Sequence, residues 1–449
     1  MRYKIMDETA MEMETNSESY MTPDEIGQLR EKYLLPSVMK YFSDPVHIVK
    51  GDGAYVYDYK GKKYLDGFGA VVTISIGHCH PDVVPGAVEQ MKKLQHITSL
   101  YYTEPIVKLA EKLASISPQG FQKCFFTNSG TEANELSAII AKLYTKEQEF
   151  IALTHAFHGR TLMSMSLTGQ SLWRQAPPYV FGVKHAPAAY CYRCPVEKTY
   201  PDCKMRCAYM LEDVIKYSTS GKIAAFIAEP IQGFGGVVTP PPEYFPIVYD
   251  IVKKYGGLYI SDEVQTGYGR TGNKWWGIDQ WGVTPDIITT AKGMGNGIPI
   301  GGLVTTPEIA DCMRGITHFS TYGGNPVSMT QGRLVIEAIE KHGYKEKNTE
   351  LGNYLKGKFN ELMEKHSIIG EVRGMGLMLG IELVKNRETK EPAKEEMIKM
   401  MDLCKERGLF IGKGAMAGNT IRIKPPFCIT RDDCDFIVAT LDECLGLVG

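Results

Sequence analysis

From about residue 60 to about residue 320, short apolar runs rich in β-branched side chains alternate with segments whose apolar positions recur at helical spacing. "KCFFTN" (123–128), "EFIAL" (149–153), "KIAAFIAEP" (222–230), "GLYISDE" (257–263) and "DIITTAK" (286–292) read as strands. "GTEANELSAIIAKLY" sets Ala133, Leu136, Ile140 and Leu143 on one helical face. Strands alternating with helices predict an α/β fold, a mostly parallel sheet flanked by helices. After about residue 325 the texture changes to longer amphipathic helices, "GRLVIEAIEKHG" and "LGNYLKGKFNELMEKH". Two hairpin-like pieces follow, "EVRGMGLMLGIEL" and "GLFIGKGAMAGNTIRIKPP". The expected division is an N-terminal arm and joining segment over 1–62, a large domain over 63–325, and a smaller α+β domain over 326–449.

Composition narrows the class without naming it. The 449 residues are 43% hydrophobic and 23% charged, as in ordinary globular proteins. Fifty Lys plus Arg against 52 Asp plus Glu leave a net charge of -2, with no dense basic tract of the kind that binds nucleic acid. The apolar runs are too short to span a bilayer. The first stretch, "MRYKIMDETAMEMETNSES", is acidic, lacks the apolar centre of a signal peptide and reads as a mobile arm. Eleven cysteines with no export signal point to reduced thiols in the cytoplasm.

The residues that suggest chemistry fall where the strands end: 128–131, 155–160, Glu229, 262–265 and Lys292. Ligands of open α/β sheets sit at those carboxyl ends. Ser129, Gly130 and Thr131 stand between a strand and a helix, where backbone N–H groups and hydroxyls meet an anion. Ser129 and Glu132 also have capping-box spacing, so an ordinary helix cap is the competing reading. Neither a P-loop nor a dinucleotide fingerprint is present: counted from Gly293, the third glycine of the latter falls on Ile298. A nicotinamide-dependent dehydrogenase is thereby disfavoured.

Lys292 lies among small residues in "TAKGMGNGIPIGG", which gives a flat cofactor room to approach and the lysine room to swing. A Schiff-base lysine needs an unprotonated amine, and burial with cationic neighbours favours one. Asp262 ends an apolar strand and needs a cationic or hydrogen-bonded partner. The pyridinium nitrogen of pyridoxal phosphate is such a partner. Phe157 or His158 in "AFHGR" can cover a ring face, and Arg160 can meet a carboxylate; core packing and a satisfied structural histidine are the alternatives.

"LYISDEVQTGYGRTG" followed by "TTAKGMGNGIPIGG", with 30 positions from Asp262 to Lys292, resembles the signature of class III pyridoxal-phosphate aminotransferases. "GHCHPDV", "TNSGTEANE", "AFHGRT", "AEPIQG", "STYGGNP" and "RIKPP" extend the resemblance from roughly residue 40 to the C-terminus. It implies fold type I, pyridoxal 5′-phosphate as cofactor, and a homodimer, or a tetramer built from two, with sites at the interface. It implies that Lys292 forms the Schiff base, Asp262 holds the pyridinium, and Gln265, beside Val264, contacts the phenolic oxygen. Ser129, Gly130 and Thr131 would bind the phosphate, with Thr321, next to Ser320, reaching the neighbouring subunit's. Arg422 would bind a substrate carboxylate and Glu229 would pair with it as a switch between substrates. Val71, Val72, Tyr101 and Arg160 complete the traceable part of the substrate pocket.

The expected reaction moves an amino group from an ω-amino acid or alanine-type donor to a 2-oxo acid, in two alternating half-reactions. "VVTISIGHCHP" and "RIKPPFCIT" look most like the alanine–glyoxylate aminotransferase 2 branch. That branch also contains phospho-lyases acting on amino-alkyl phosphates such as phosphoethanolamine, which is the alternative. Cys191, Cys194, Cys203 and Cys207 form a C-x2-C-x8-C-x3-C arrangement; it reads as a loop of reduced thiols with no metal, and four thiolates around a structural Zn²⁺ are the alternative.

Overall fold

A computed structural model describes residues 20–37, 41–175 and 180–449. The arm expected over 1–19 lies outside the described residues.

The five expected strands form, and two more join them in one seven-stranded sheet. Its order is Lys123–Thr127, Gly301–Thr305, Ile287–Ala291, Leu258–Asp262, Ala225–Ala228, Phe150–Leu153, Val183–Ala186. Gly301–Thr305 runs antiparallel to both neighbours, and the other pairings are parallel. Every residue of Leu258–Asp262 and of Ile287–Ala291 is buried, because helices cover both faces. Such strands read as continuous apolar runs rather than alternations. The two unexpected strands lack that signature. "GGLVT" starts with a glycine pair that reads as loop, and the edge strand "VKHA" carries two polar residues.

The helix Gly130–Thr145 follows Lys123–Thr127 and buries Ala133, Leu136 and Ile140. Fully burying one such large aliphatic side chain contributes about 1.5–3 kcal/mol. Its N-terminus lies at the edge where Leu258–Asp262 and Ile287–Ala291 end, the usual place for a ligand on a sheet of this kind.

Beyond the sheet stand the helices Pro326–Lys341 and Tyr344–Lys365. An antiparallel sheet follows in the order Ile369–Met375, Met378–Leu383, Thr420–Ile423, Gly412–Gly414. The stretch 408–426 is not one hairpin as expected. Leu409–Phe410 instead pairs parallel to Lys63–Asp66, joining the antiparallel strands Ile48–Asp52, Tyr55–Asp58 and Lys63–Asp66. Residues before and after the seven-stranded sheet thus share a sheet of their own. Among the described residues, no helix is long and apolar enough to cross a membrane.

Candidate active site

Leu258–Asp262 delivers its last side chain to a cavity of about 390 Å³. The Asp262 carboxylate is held on several sides. Oδ2 accepts from Asn134 Nδ2 at 2.8 Å and meets His158 Nδ1 at 2.7 Å, while Oδ1 accepts from Val264 N–H at 3.1 Å. Asn134 is fixed in turn, donating to the His158 carbonyl and accepting from Thr289 Oγ1 at 2.7 Å. The neighbouring acid, Glu263, points elsewhere, since strand side chains alternate. It accepts from Ser261, Thr266 and the N–H groups of Gly277 and Ile278, and burial pushes its carboxyl up to about 7.

Lys292 follows Ile287–Ala291 and lines the same cavity. Its φ of 42° is in the left-handed region, a strain that rigid surroundings must hold, of order 1–3 kcal/mol. Asn296 braces the following loop, accepting from Ser75 and Ile76 N–H and donating to the Gly77 carbonyl. No hydrogen bond or ion pair joins the Lys292 amine to another described residue. Burial holds that amine below its ordinary pKa; Arg422 adds to the effect, and Asp262 and Glu229 oppose it.

Ser129, Gly130, Thr131, Phe157, His158, Arg160 and Val264 also line the cavity. Ser129 caps the helix, Oγ accepting from Glu132 N–H at 3.3 Å, but the Glu132 carboxylate reaches Asn128 N–H instead of closing the box. The first N–H groups of the helix have no intrahelical acceptor. A methyl group on Gly130 would sit 2.8 Å from Val264 Cγ2, so glycine lets these two walls meet. Thr131 Oγ1 is already engaged by Arg160 N–H, Thr161 N–H and Thr161 Oγ1. Phe157 packs edge-on against Trp173 and tilted against Phe234. His158 is buried against Asp262, a positioning partner of that carboxylate rather than a loose ring cover.

Other expected residues stand outside the cavity lining. Ser320 accepts from Gly323 N–H, and Thr321 is exposed. Arg422 is buried between the Phe68 and Phe234 rings and donates to the Gly233 carbonyl at 3.3 Å. Glu229 accepts from Phe157 N–H and Gly233 N–H, at 2.9 and 2.8 Å. The expected Arg422–Glu229 ion pair is therefore absent among the described residues: two backbone donors already satisfy the acid. Tyr101 is exposed, and Ala70, Val71 and Val72 all take positive φ, a left-handed turn beside Thr73 of the cavity wall.

Cys191 is exposed, Cys194 half-buried, and Cys203 and Cys207 buried. The four thiols lie near enough to one another to add to the burial that raises the pKa of Cys191 and Cys207, but among the described residues the one group of three or more potential ligands with atoms all within 4.8 Å of each other is His80, Asp82 and His342. There Asp82 takes Lys341 Nζ at 2.9 Å and His342 Nε2 at 2.7 Å, and its N–H occupies His80 Nδ1. Asn134 and Lys424 are the site residues that sequence reasoning passed over. Both lie inside quoted motifs, and neither carries a spacing signal.

The residues fit pyridoxal 5′-phosphate. The cavity brings together an amine with no hydrogen-bond partner among the described residues, a pinned carboxylate, and a helix N-terminus free of bulky side chains at Gly130. A parallel sheet with such a site at its carboxyl edge is the architecture of the fold type I pyridoxal-phosphate transferases. The chain matches the class III aminotransferases over residues 39–445 and belongs to that family, whose enzymes depend on pyridoxal phosphate. It is 46% identical over 420 residues to alanine–glyoxylate aminotransferase 2 homolog 2, mitochondrial, of Arabidopsis thaliana, covering 93% of this chain and 87% of that protein. It is 37% identical over 417 residues to a leucine/methionine racemase of Thermococcus litoralis, covering 91% and 93%. Among solved structures, an (S)-enantioselective omega-transaminase from Thermomicrobium roseum superposes with a TM-score of 0.89 at 32% identity, covering 96% of this chain and 99% of that one. The protein is a class III aminotransferase, similar over most of its length to alanine–glyoxylate aminotransferase 2 homologues.

Proposed function

We propose that this aminotransferase takes its amino group from L-alanine or an ω-amino acid such as β-alanine or 4-aminobutyrate. Pyruvate, glyoxylate or 2-oxoglutarate receives it in a ping-pong reaction. The observation that carries the reading is the pairing, in one cavity, of a Lys292 amine with no partner and an Asp262 carboxylate held on three sides.

Bound pyridoxal 5′-phosphate supplies an aldehyde that condenses with amines and a ring that draws electron density from the donor's Cα. Lys292 Nζ takes the Cα proton, a task suited to an amine that burial keeps from holding its own proton tightly. Asp262 keeps a proton on the ring nitrogen, and His158 and Asn134 fix its oxygens for that purpose. The N–H groups at Gly130 and Thr131 would hold the phosphate with Ser129, Phe157 would cover a ring face, and Gln265 would meet the phenolic oxygen. The donor leaves as its oxo acid before the acceptor enters, so one carboxylate subsite serves both.

Arg422 is the base of that subsite. Because Glu229 is satisfied by backbone, a substrate carboxylate meets Arg422 without breaking an ion pair, which favours alanine-type donors and 2-oxo acids. An ω-amino acid, whose carboxylate is bound elsewhere, requires Glu229 to turn toward Arg422. Exposed Leu100, Tyr102, Phe319 and Tyr322 support a homodimer in which Thr321 reaches the partner's phosphate. A cytoplasmic location rests on the free cysteines, and the mitochondrial name of the Arabidopsis relative gives the alternative that cell fractionation separates.

The test is product analysis of the holoenzyme with L-alanine and glyoxylate, then with β-alanine and pyruvate. Equal amounts of new oxo acid and new amino acid are expected, and without acceptor no more oxo acid than one equivalent per active site. The racemase among the relatives, from Thermococcus litoralis, favours one second reading, racemisation. Loss of optical activity from an L-amino acid without acceptor would establish it. Acceptor-independent phosphate release from phosphoethanolamine would instead make the protein a lyase.

A further inference from the structure

Lys424 is fully buried, and no carboxylate lies within ion-pair distance of it among the described residues. The charged groups that act on it most are the cations Arg422, Lys292 and Arg270, against the acid Glu229. Burying a cation in such company is costly unless it does something specific. Its Nζ donates to one side-chain atom, Gln265 Oε1, at 2.9 Å. Nζ carries N–H bonds in either protonation state and Oε1 only accepts, so this bond turns the amide oxygen toward Lys424 and its NH₂ away. No described residue takes a hydrogen bond from Gln265 Nε2, although Gln265 is only 6% exposed.

The amide is also pressed from the other side. A methyl group on Gly233 would lie 2.3 Å from Gln265 Oε1 and 2.6 Å from Nε2, so only glycine leaves the side chain its place. That glycine gives its N–H to Glu229 and its carbonyl to Arg422. Lys424 itself is anchored through its backbone N–H, which donates to the Gly67 carbonyl at 2.8 Å. Two prolines, Pro425 and Pro426, stiffen the chain immediately after it.

We infer that Lys424 is a positioning residue: it locks the Gln265 amide so that its two free N–H donors face the phenolic oxygen of the cofactor. The inference rests on the proposed contact between Gln265 and that oxygen. A donor on the phenolic oxygen competes with the proton on the adjacent cofactor–lysine nitrogen, so the donor lowers the pH at which that proton leaves. Lys424 thereby sets the protonation of a centre that it does not touch.

The test is a pH titration of the visible absorption of holoenzyme reconstituted with pyridoxal 5′-phosphate, for wild type, Lys424→Met, Lys424→Gln, Gln265→Leu and Lys424→Met/Gln265→Leu. Gln265→Leu should raise the midpoint by about one pH unit, the scale of one charge-assisted hydrogen bond. Lys424→Met should raise it equally, and the double variant no further. Lys424→Gln keeps a donor for Oε1 and should titrate as wild type. If Lys424→Met does not fold, Lys424→Gln decides: a wild-type midpoint supports the inference, and the Gln265→Leu midpoint overturns it. A Lys424→Met midpoint equal to wild type, with only thermal stability reduced, reduces Lys424 to a structural role and overturns the inference. A wild-type protein with no visible band would instead refute the cofactor reading on which the inference stands.

Discussion

Two buried clusters of charge meet the stretch Thr420–Lys424, one at Thr420 and the other at Arg422 and Lys424, and they are built on different principles. Around Arg373, every donor is used. Nε donates to the Gly236 carbonyl at 2.8 Å, Nη1 to Glu371 and Glu382, and Nη2 to Tyr190 and Thr420. Arg193 adds a bond to Glu382 at 2.6 Å, and Tyr190 donates to the same carboxylate. Around Lys292 the accounts stay open. Among the described residues, the Lys292 amine and the Gln265 NH₂ meet no hydrogen-bond partner, and Arg422 Nε has none. Both clusters contain arginines and buried carboxylates, so residue type does not separate them. What separates them is satisfaction: a closed network holds the fold, and unfilled hydrogen-bonding capacity beside a cavity marks where a ligand completes it.

The largest effect expected from breaking this contrast is at Lys292. Lys292→Ala should retain cofactor yet lose turnover by about 10⁴-fold or more, read as kcat under saturating donor and acceptor. Near-normal turnover would refute the assignment. In the closed cluster the same kind of truncation should act on stability. Glu382→Ala leaves Arg373 and Arg193 without their shared carboxylate and should cost about 3–5 kcal/mol in denaturant unfolding, while kcat of the folded enzyme stays at the wild-type value. Arg422→Leu should raise KM for pyruvate or glyoxylate by about 10–100-fold, read from initial rates, since it removes the charged contact to the substrate carboxylate.

The smallest effect is a pH slope. Burial raises the Glu263 carboxyl from 4.5 to about 7, so the folded protein holds this proton more tightly than the unfolded chain does. The stabilisation from this group is complete below pH 4.5 and is lost as pH rises through about 7. The difference in melting temperature between wild type and Glu263→Gln should accordingly change across that window and be flat on either side.

The proposed catalytic pair was conspicuous in the sequence because each member sits at the end of a buried strand, where a charged residue stands out. The parallel sheet was legible for the same reason, through runs such as "GLYISDE" and "DIITTAK". Contacts that depend on the fold were not. Asn134 meets Asp262 across 128 positions and Lys424 meets Gln265 across 159, distances at which no local pattern speaks. The Arg422–Glu229 pair fails for a local reason, since the turn after Ala228 presents Gly233 N–H to the acid first. Val71 and Val72 carry β-branched side chains that read as strand, yet the backbone there turns left-handed beside the cavity. Gly301–Thr305 hides behind its glycine pair although it lies in the middle of the sheet, between Lys123–Thr127 and Ile287–Ala291.

The central claim is that the open cluster takes an amino group from one substrate and passes it to another. The direct measurement is the visible spectrum of the purified holoenzyme while single amines are added with no acceptor present. The account predicts that L-alanine or an ω-amino acid bleaches the band, and that pyruvate, glyoxylate or 2-oxoglutarate restores it. A band that persists with every amine, while phosphoethanolamine releases phosphate or an L-amino acid racemises, would contradict it.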